Sequence, residues 1–187
     1  VASDRHREGI FASLSVRDNI ALRSLPRFAT AGFVSSGREL EETGALSRQF
    51  NVKTPTLAAP IETLSGGNQQ KSVLAGAFGS APSVLLLDEP TQGVDVGARS
   101  EIYTLIREHA AETGMAVIVL STDAKELAGI ADRVLVFSRG KIVAELADDQ
   151  VAEEHITGVA LRSTAVREKV QANTHPFLRW LTGDTAP

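Results

Sequence analysis

Three short runs of unbroken apolar residues punctuate the middle of the chain: Ser83 to Leu87, Ala116 to Leu120 and Val134 to Phe137. Runs of this length without polar alternation predict parallel strands buried on both faces. Between them the period changes. Ile102, Leu105, Ile106 and His109 fall at i, i+3, i+4 and i+7, which is one face of a helix. Asp123 to Glu126 has the spacing to cap a short helix that ends before Ala131. Gly140 marks a turn, and Lys141 to Leu146 can return as a further strand. Strand, helix, strand, helix in this order predicts an α/β layer.

The first third of the chain is more polar. Ser15 and Asp18 form a capping-box pattern that opens a helix through Asn19, Ile20 and Leu22, with Pro26 expected to end it. Ser36 to Phe50 predicts a second helix with Leu40, Leu46 and Phe50 as its apolar side. Pro55 and Pro60 bracket a loop. From Asp148 the pattern is helical and amphipathic, then thins into a polar end at Thr182 to Pro187. Phe177, Leu178, Trp180 and Leu181 form an apolar knot expected to dock on the body of the domain. There are no internal repeats.

Composition narrows the class. With 187 residues, one domain is the default. Hydrophobic residues make up 43% and charged residues 22%, as in ordinary globular proteins. The net charge of −4 lacks the basic footprint of a nucleic-acid binder, so no nucleic-acid partner is expected. Cysteine is absent, which removes disulfides and thiolate metal sites. No stretch approaches the roughly 20 apolar residues that cross a bilayer. The charged start, Val1 to Glu8, has no apolar segment behind it and is not expected to be a signal peptide. With no Met at position 1, the chain reads as a piece of something longer.

Two segments carry chemistry. In Leu64 to Lys71 (LSGGNQQK) a serine and two glycines precede a helix whose apolar side includes Val73, Leu74, Ala77 and Phe78. Ser65 is a favoured N-cap residue, and the glycines let a ligand approach the backbone. Free N–H groups at a helix start attract phosphate oxygens. In Val84 to Glu89 an apolar strand delivers two carboxylates at its C-terminal end, the edge where open α/β sheets bind ligands. Asp88 there can hold Mg²⁺, and Glu89 can orient or deprotonate an attacking water. Each segment alone has a plain reading, a capped loop and a solvated strand end. Their succession, with one helix between them, is far more specific.

That succession resembles the ABC ATPase family. Leu64 to Lys71 resembles its signature motif, Val84 to Glu89 its Walker B strand, and Thr91 to Asp95 its D-loop. Asn68 to Lys71 and Thr91 to Ala98 resemble the ATPase subunits of ribose-, galactose- and xylose-type importers, which carry two fused ATPase domains. Val1 to Phe11 and Leu14 to Ile20 resemble the Q-loop stretch of the second domain. The likeness runs from Val1 to about Leu161. It implies an α/β fold: an incomplete ABC-type P-loop NTPase core, with a mostly parallel sheet and a helical subdomain. The partial ATPase domain would span 1–161, with the helical subdomain at about 12–80 and the sheet core at about 81–147. Residues 162–187 would form a C-terminal tail. It implies ATP and Mg²⁺ as cofactors, with Asp88 on the metal and Glu89 catalytic. Ser65, Gly66, Gly67, Asn68, Gln69 and Asp95 would contact nucleotide. An ATPase partner domain, a transmembrane permease and, indirectly, a substrate-binding protein are the implied partners. The implied location is the cytoplasmic face of the cell membrane, as a peripheral subunit.

The chain departs from this family in three places. It has no G-x-x-x-x-G-K-[ST] segment, whose backbone and Lys hold the β- and γ-phosphates. Lys71-Ser72 follows Gln70 rather than Gly and does not supply one. The Q-loop position carries Ser3, and the switch-histidine position carries Thr122. The isolated chain is therefore expected to be inactive. The rival reading is a non-catalytic half-domain that supplies its signature motif to a partner ATPase. Chromosome-structure and DNA-repair ABC ATPases are disfavoured, because no heptad-patterned insert is present. His6, His109, His155 and His175 lack metal-ligand spacing, and Arg5 and Arg7 read as a solvated basic face.

Overall fold

A computed structural model of the protein describes residues 1–30 and 33–172. The expected apolar knot at 177–181 lies outside the described residues. The chain forms two compact units, one from Val1 to Thr122 and one from Asp123 onward.

The first unit opens on a π-helical turn, Arg5–Gly9, whose cap Asp4 accepts from the backbone N–H groups of His6 and Arg7. The capping box then forms as its spacing predicts. Ser15 Oγ accepts from Asp18 N–H at 3.1 Å and Asp18 accepts from Ser15 N–H at 3.2 Å, starting α1 (Val16–Ala21). The Pro55–Pro60 loop is tied across this start by Val16 N–H to Ala59 O and Ile61 N–H to Leu14 O. Pro26 does not end a helix. It sits at the opening of a short one, α2 (Leu25–Phe28), after a 3₁₀ turn at Leu22–Ser24. The first helical turn has no partner for an N–H there, so proline fits it. Two-residue strands follow, β1 (Ala29–Thr30) and β2 (Phe33–Val34), paired antiparallel.

Helix α3 (Ser36–Gln49) ends at Phe50, which is fully buried as predicted, with Leu46 half-buried, but the rest of its inward side differs. Leu40 is exposed, while Glu39, Thr43, Gly44 and Ser47 face inward. Small and self-satisfied residues let the helix approach closely. Thr43 Oγ1 donates to Glu39 O at 2.6 Å, and Glu39 pairs with Arg17 at 3.3 Å. Helices α1, α3 and α4 (Gly66–Gly79) pack on one another. A Cβ at Gly76 would stand 2.9 Å from Ile20 O, which measures how tightly α4 crosses α1. Ile20, Phe28, Phe50, Ile61 and Leu74 are fully buried in this region.

Two parallel strands follow, β3 (Val84–Asp88) and β4 (Ala116–Leu120), in register from Val84 with Ala116 to Asp88 with Leu120. The helix between them is α5 (Val96–Thr113), which buries Ile102, Leu105, Ile106 and His109 as its periodicity predicts. His109 lies edge-on to Phe50 and Phe78, with ring centroids 4.3 and 5.8 Å away. The strands are not buried on both faces as their unbroken apolar runs predict. Leu85 and Leu87 are buried, but Val84, Leu86, Ile118 and Leu120 are each about half exposed. Val1 lies on the edge of β3: its N–H group donates to Leu86 O at 2.7 Å, and Asp88 N–H donates to Val1 O at 3.0 Å.

The second unit begins with α6 (Ala124–Ile130), capped by the Asp123 carboxylate. The third apolar run becomes β5 (Arg133–Ser138). It pairs antiparallel with β6 (Lys141–Ala147), the returning strand expected after Gly140, whereas its apolar run alone predicts parallel pairing. Arg139 and Gly140, with φ of 50° and 71°, form the tight turn that imposes this pairing. Val134, Leu146 and Ile156 of α7 (Glu153–Ala172) close a small core.

Candidate functional site

The predicted site residues fall into two clusters. The first surrounds the start of α4. Ser65 occupies the N-cap position, but its hydroxyl accepts from Asn68 Nδ2 at 2.9 Å rather than from the backbone. Asn68 in turn accepts from Lys53 N–H at 2.9 Å. The first backbone N–H groups of α4 are thus left without a side-chain cap, which suits an anion. Gln69 is buried, and its amide donates to Leu64 O at 3.1 Å, holding the approach to Ser65.

The segment after β3 packs on this helix start. Glu89 O accepts from Gln92 N–H and Thr91 O from Val94 N–H, two successive turns that lead to Asp95. Asp95 caps α5, accepting from Ala98 N–H at 3.0 Å. A Cβ at Gly67 would lie 2.9 Å from Ala98 Cβ and 3.9 Å from Asp95 Oδ2. A Cβ at Gly66 would lie 3.1 Å from Gly93 O. The segment after β3 and the start of α5 therefore leave little room for a side chain at either glycine.

Arg5 seals this junction. It is only 8% exposed, where the sequence pattern predicts a solvated basic face. Its guanidinium donates to Gln92 O at 2.6 Å, to Gly93 O at 3.1 Å and to Gln69 Oε1 at 3.4 Å. Burial lowers its pKa from the ordinary arginine value, against the opposing charge of Asp4. Nothing in the local pattern of Asp4 to Glu8 announces this. The contacts span 64 to 88 residues of sequence.

The second cluster is the end of β3. Asp88 is exposed, and its charge acts on the ammonium group of Val1 at the edge of β3. Glu89 lies just past the strand with φ of 46°, and its N–H donates to Leu120 O at 2.8 Å. Its carboxylate accepts from Thr122 N–H at 2.8 Å, Thr122 Oγ1 at 2.9 Å and Ser121 Oγ at 3.4 Å. The left-handed backbone at Glu89, together with these donors, aims the two acids differently. Asp88 is open to solvent, whereas Glu89 is held against the end of β4. The Thr122 position, a departure from the family pattern, thus supplies two donors to Glu89.

The structure brings Gly66, Gly67 and Gln69 together with the Gln92–Asp95 turn, and Glu89 together with Thr122. Lys71 is not a phosphate lysine. It is buried, pairs with Glu101 at 2.6 Å and donates to Asn51 O.

The fit to Mg-ATP differs between the clusters. Mg²⁺ takes one or two carboxylates and completes its shell from water and phosphate oxygens, which a single exposed carboxylate such as Asp88 suits. Among the described residues no group of three or more His, Cys, Asp or Glu could hold a metal by itself. The uncapped start of α4 suits a phosphate. A loop to enclose the β- and γ-phosphates beside Asp88 is not in the sequence.

The fold has counterparts among solved structures. The dimeric structure of MJ0796, a bacterial ABC transporter cassette, matches with a TM-score of 0.66 at 20% identity, over 78% of this chain and 61% of that one. Residues 3–92 match the family model described as ABC transporter. Among curated proteins, the "Ribose import ATP-binding protein RbsA 2" of Rubrobacter xylanophilus is 45% identical over 173 residues, 90% of this chain and 33% of the relative. The "Xylose import ATP-binding protein XylG" of Burkholderia ambifaria is 45% identical over 161 residues, 86% of this chain and 31% of the relative. Residues 3–92 thus resemble the ABC transporter family, and most of the chain is similar to sugar-import ATP-binding proteins. The chain spans about one third of the length of the curated relatives it matches.

Proposed function

We propose that the chain is part of an ATP-binding and ATP-hydrolysing domain that energises sugar import, within a longer ATPase subunit on the cytoplasmic face of a membrane. The observation that carries this reading is the junction of Gly66 and Gly67 with the Gly93–Asp95 turn, beside a strand that ends in Asp88 and Glu89. The names of the relatives support sugar import, with ribose and xylose as the printed cases. No helix among the described residues is long and apolar enough to cross a membrane, so a permease would be a separate partner. A substrate-binding protein would act only through that permease.

In this reading the two clusters serve different nucleotides. Ser65, Gly66, Gly67, Asn68 and Gln69, with Asp95, present the α4 start to ATP held by a partner ATPase domain. Asp88 and Glu89 serve a nucleotide in their own half. Bound Mg-ATP would supply the phosphoryl group whose transfer to water drives transport. Asp88 would hold the metal, and Glu89, steadied by Thr122, would orient the attacking water. The second half-site needs a phosphate loop upstream of the helical region. The half-exposed face of Val84, Leu86, Ile118 and Leu120 supports such an addition.

A second reading has its own support. The α4 junction is complete in this chain and the acidic end is not, so the chain can complete a partner's site without turning over nucleotide itself. The test mixes the purified chain with an ABC ATPase domain whose phosphate loop is intact and whose own signature serine is mutated. Turnover that depends on added chain supports the reading. Ser65→Ala should then lower it by about tenfold, the worth of one hydrogen bond to a charged group. Turnover indifferent to added chain would overturn it.

A further inference from the structure

We infer that Arg5 is a positioning residue that locks the start of α4 and the Gln92–Asp95 turn into one body. This rests on the reading above for its effect on turnover, but not for its structural content. The guanidinium fork lies on two successive carbonyls, Gln92 O and Gly93 O, and its Nε reaches Gln69. Gln69 passes the constraint on by donating to Leu64 O and Ile61 O, on the chain that enters Ser65. The fork also fills the space beside both glycines. A Cβ at Gly66 would lie 2.8 Å from Arg5 Nη2, and one at Gly93 would lie 3.3 Å from Nη1.

The chemistry selects arginine. The three acceptors are neutral oxygens on two segments, and a planar fork can reach them at once. A lysine would bring the charge but not the fork. The π-helical turn, capped by Asp4, holds Arg5 at the right place on the opening segment. Three segments distant in sequence therefore share one side chain, and neither loop can shift against the other while it stays in place. Three of the five guanidinium N–H groups of Arg5 are directed to protein oxygens in this arrangement. Its role is to hold the two loops at a fixed spacing, which matters to a phosphate bound between them and a partner.

The test uses Arg5→Ala and Arg5→Lys in the whole 187-residue chain. The first readout is amide hydrogen exchange at Gln69, Gln92 and Val94, whose N–H groups are hydrogen-bonded at this junction. Both variants should exchange about tenfold faster there, with the Phe50 and Ile20 amides unchanged. Millimolar guanidinium should restore Arg5→Ala towards wild type, and equal urea should not. The second readout is turnover in the mixture with a phosphate-loop partner: kcat falls, KM for ATP stays, and guanidinium recovers kcat. Unchanged exchange in Arg5→Ala, or full protection in Arg5→Lys, overturns the lock. Should Arg5→Ala fail to fold, Arg5→Lys carries the exchange test. Local loosening with no turnover even in the wild-type mixture would sustain the lock and sink the functional reading.

Discussion

Helices α1, α3 and α4 and the strand pair β3–β4 belong to one unit, yet they treat their apolar residues in opposite ways. Among the helices, Val16, Ile20, Phe50, Ile61 and Leu74 are wholly buried, and even the polar face of α3 is closed by Thr43 and Glu39. Along the strands every second residue is open, with Leu86 56% exposed and Leu120 54%. The helices make a core from residues in this chain. The strands carry a sequence written for burial on two faces and bury one. The same division runs through the site. The α4 junction has its glycines, its second loop and its arginine, whereas the acidic strand end has its carboxylates and no phosphate loop.

Substitutions in the two regions should differ in cost. Phe50→Ala should cost about 3–5 kcal/mol of stability, since it removes a ring packed against Phe78 and His109, and urea titration followed by circular dichroism would read it. A loss under about 1 kcal/mol would mean that the helical core is not closed. Glu89→Gln, in any form of the chain that turns over ATP, should lower kcat by about 10² or more while nucleotide binding remains. Ser15→Ala should cost about 1 kcal/mol by removing the reciprocal cap of α1. The smallest effect sharpens the contrast. Leu86→Ser should change stability by no more than about 0.5 kcal/mol in this chain, because the side chain is already half in water. In a chain extended upstream, the same change should become much more costly.

Signals confined to one turn of chain were legible from sequence. The Ser15–Asp18 box, the Asp123 cap and the inward face of α5 needed only neighbours a few residues apart. What depends on distant partners was not. The run Val134 to Phe137 is silent on its partner by itself, and only the neighbouring Gly140 turn, also legible, points to the returning strand. Pro26 reads equally as a helix end or a helix start. Leu40 yielded the inward face of α3 to smaller residues because closeness of packing outweighed apolar area. The site shows the same limit. The signature glycines and the two acids announce themselves by spacing, but Arg5 finds its partners 64 and more residues away. Thr122, noticed as a missing histidine, proves to be a partner of Glu89.

In the proposed reading the α4 junction would serve as one half-site, and the acidic strand end would need a phosphate grip to serve as the other. Mg-ATP binding tests this reading most directly, by titration calorimetry on the purified chain and on the same chain extended upstream through a G-x-x-x-x-G-K-[ST] loop. The account predicts no saturable binding at millimolar nucleotide for the chain as it stands, and clear saturable binding for the extended form. Saturable binding and turnover by the short chain alone, abolished by Glu89→Gln, would contradict it and assign the phosphate grip to another segment.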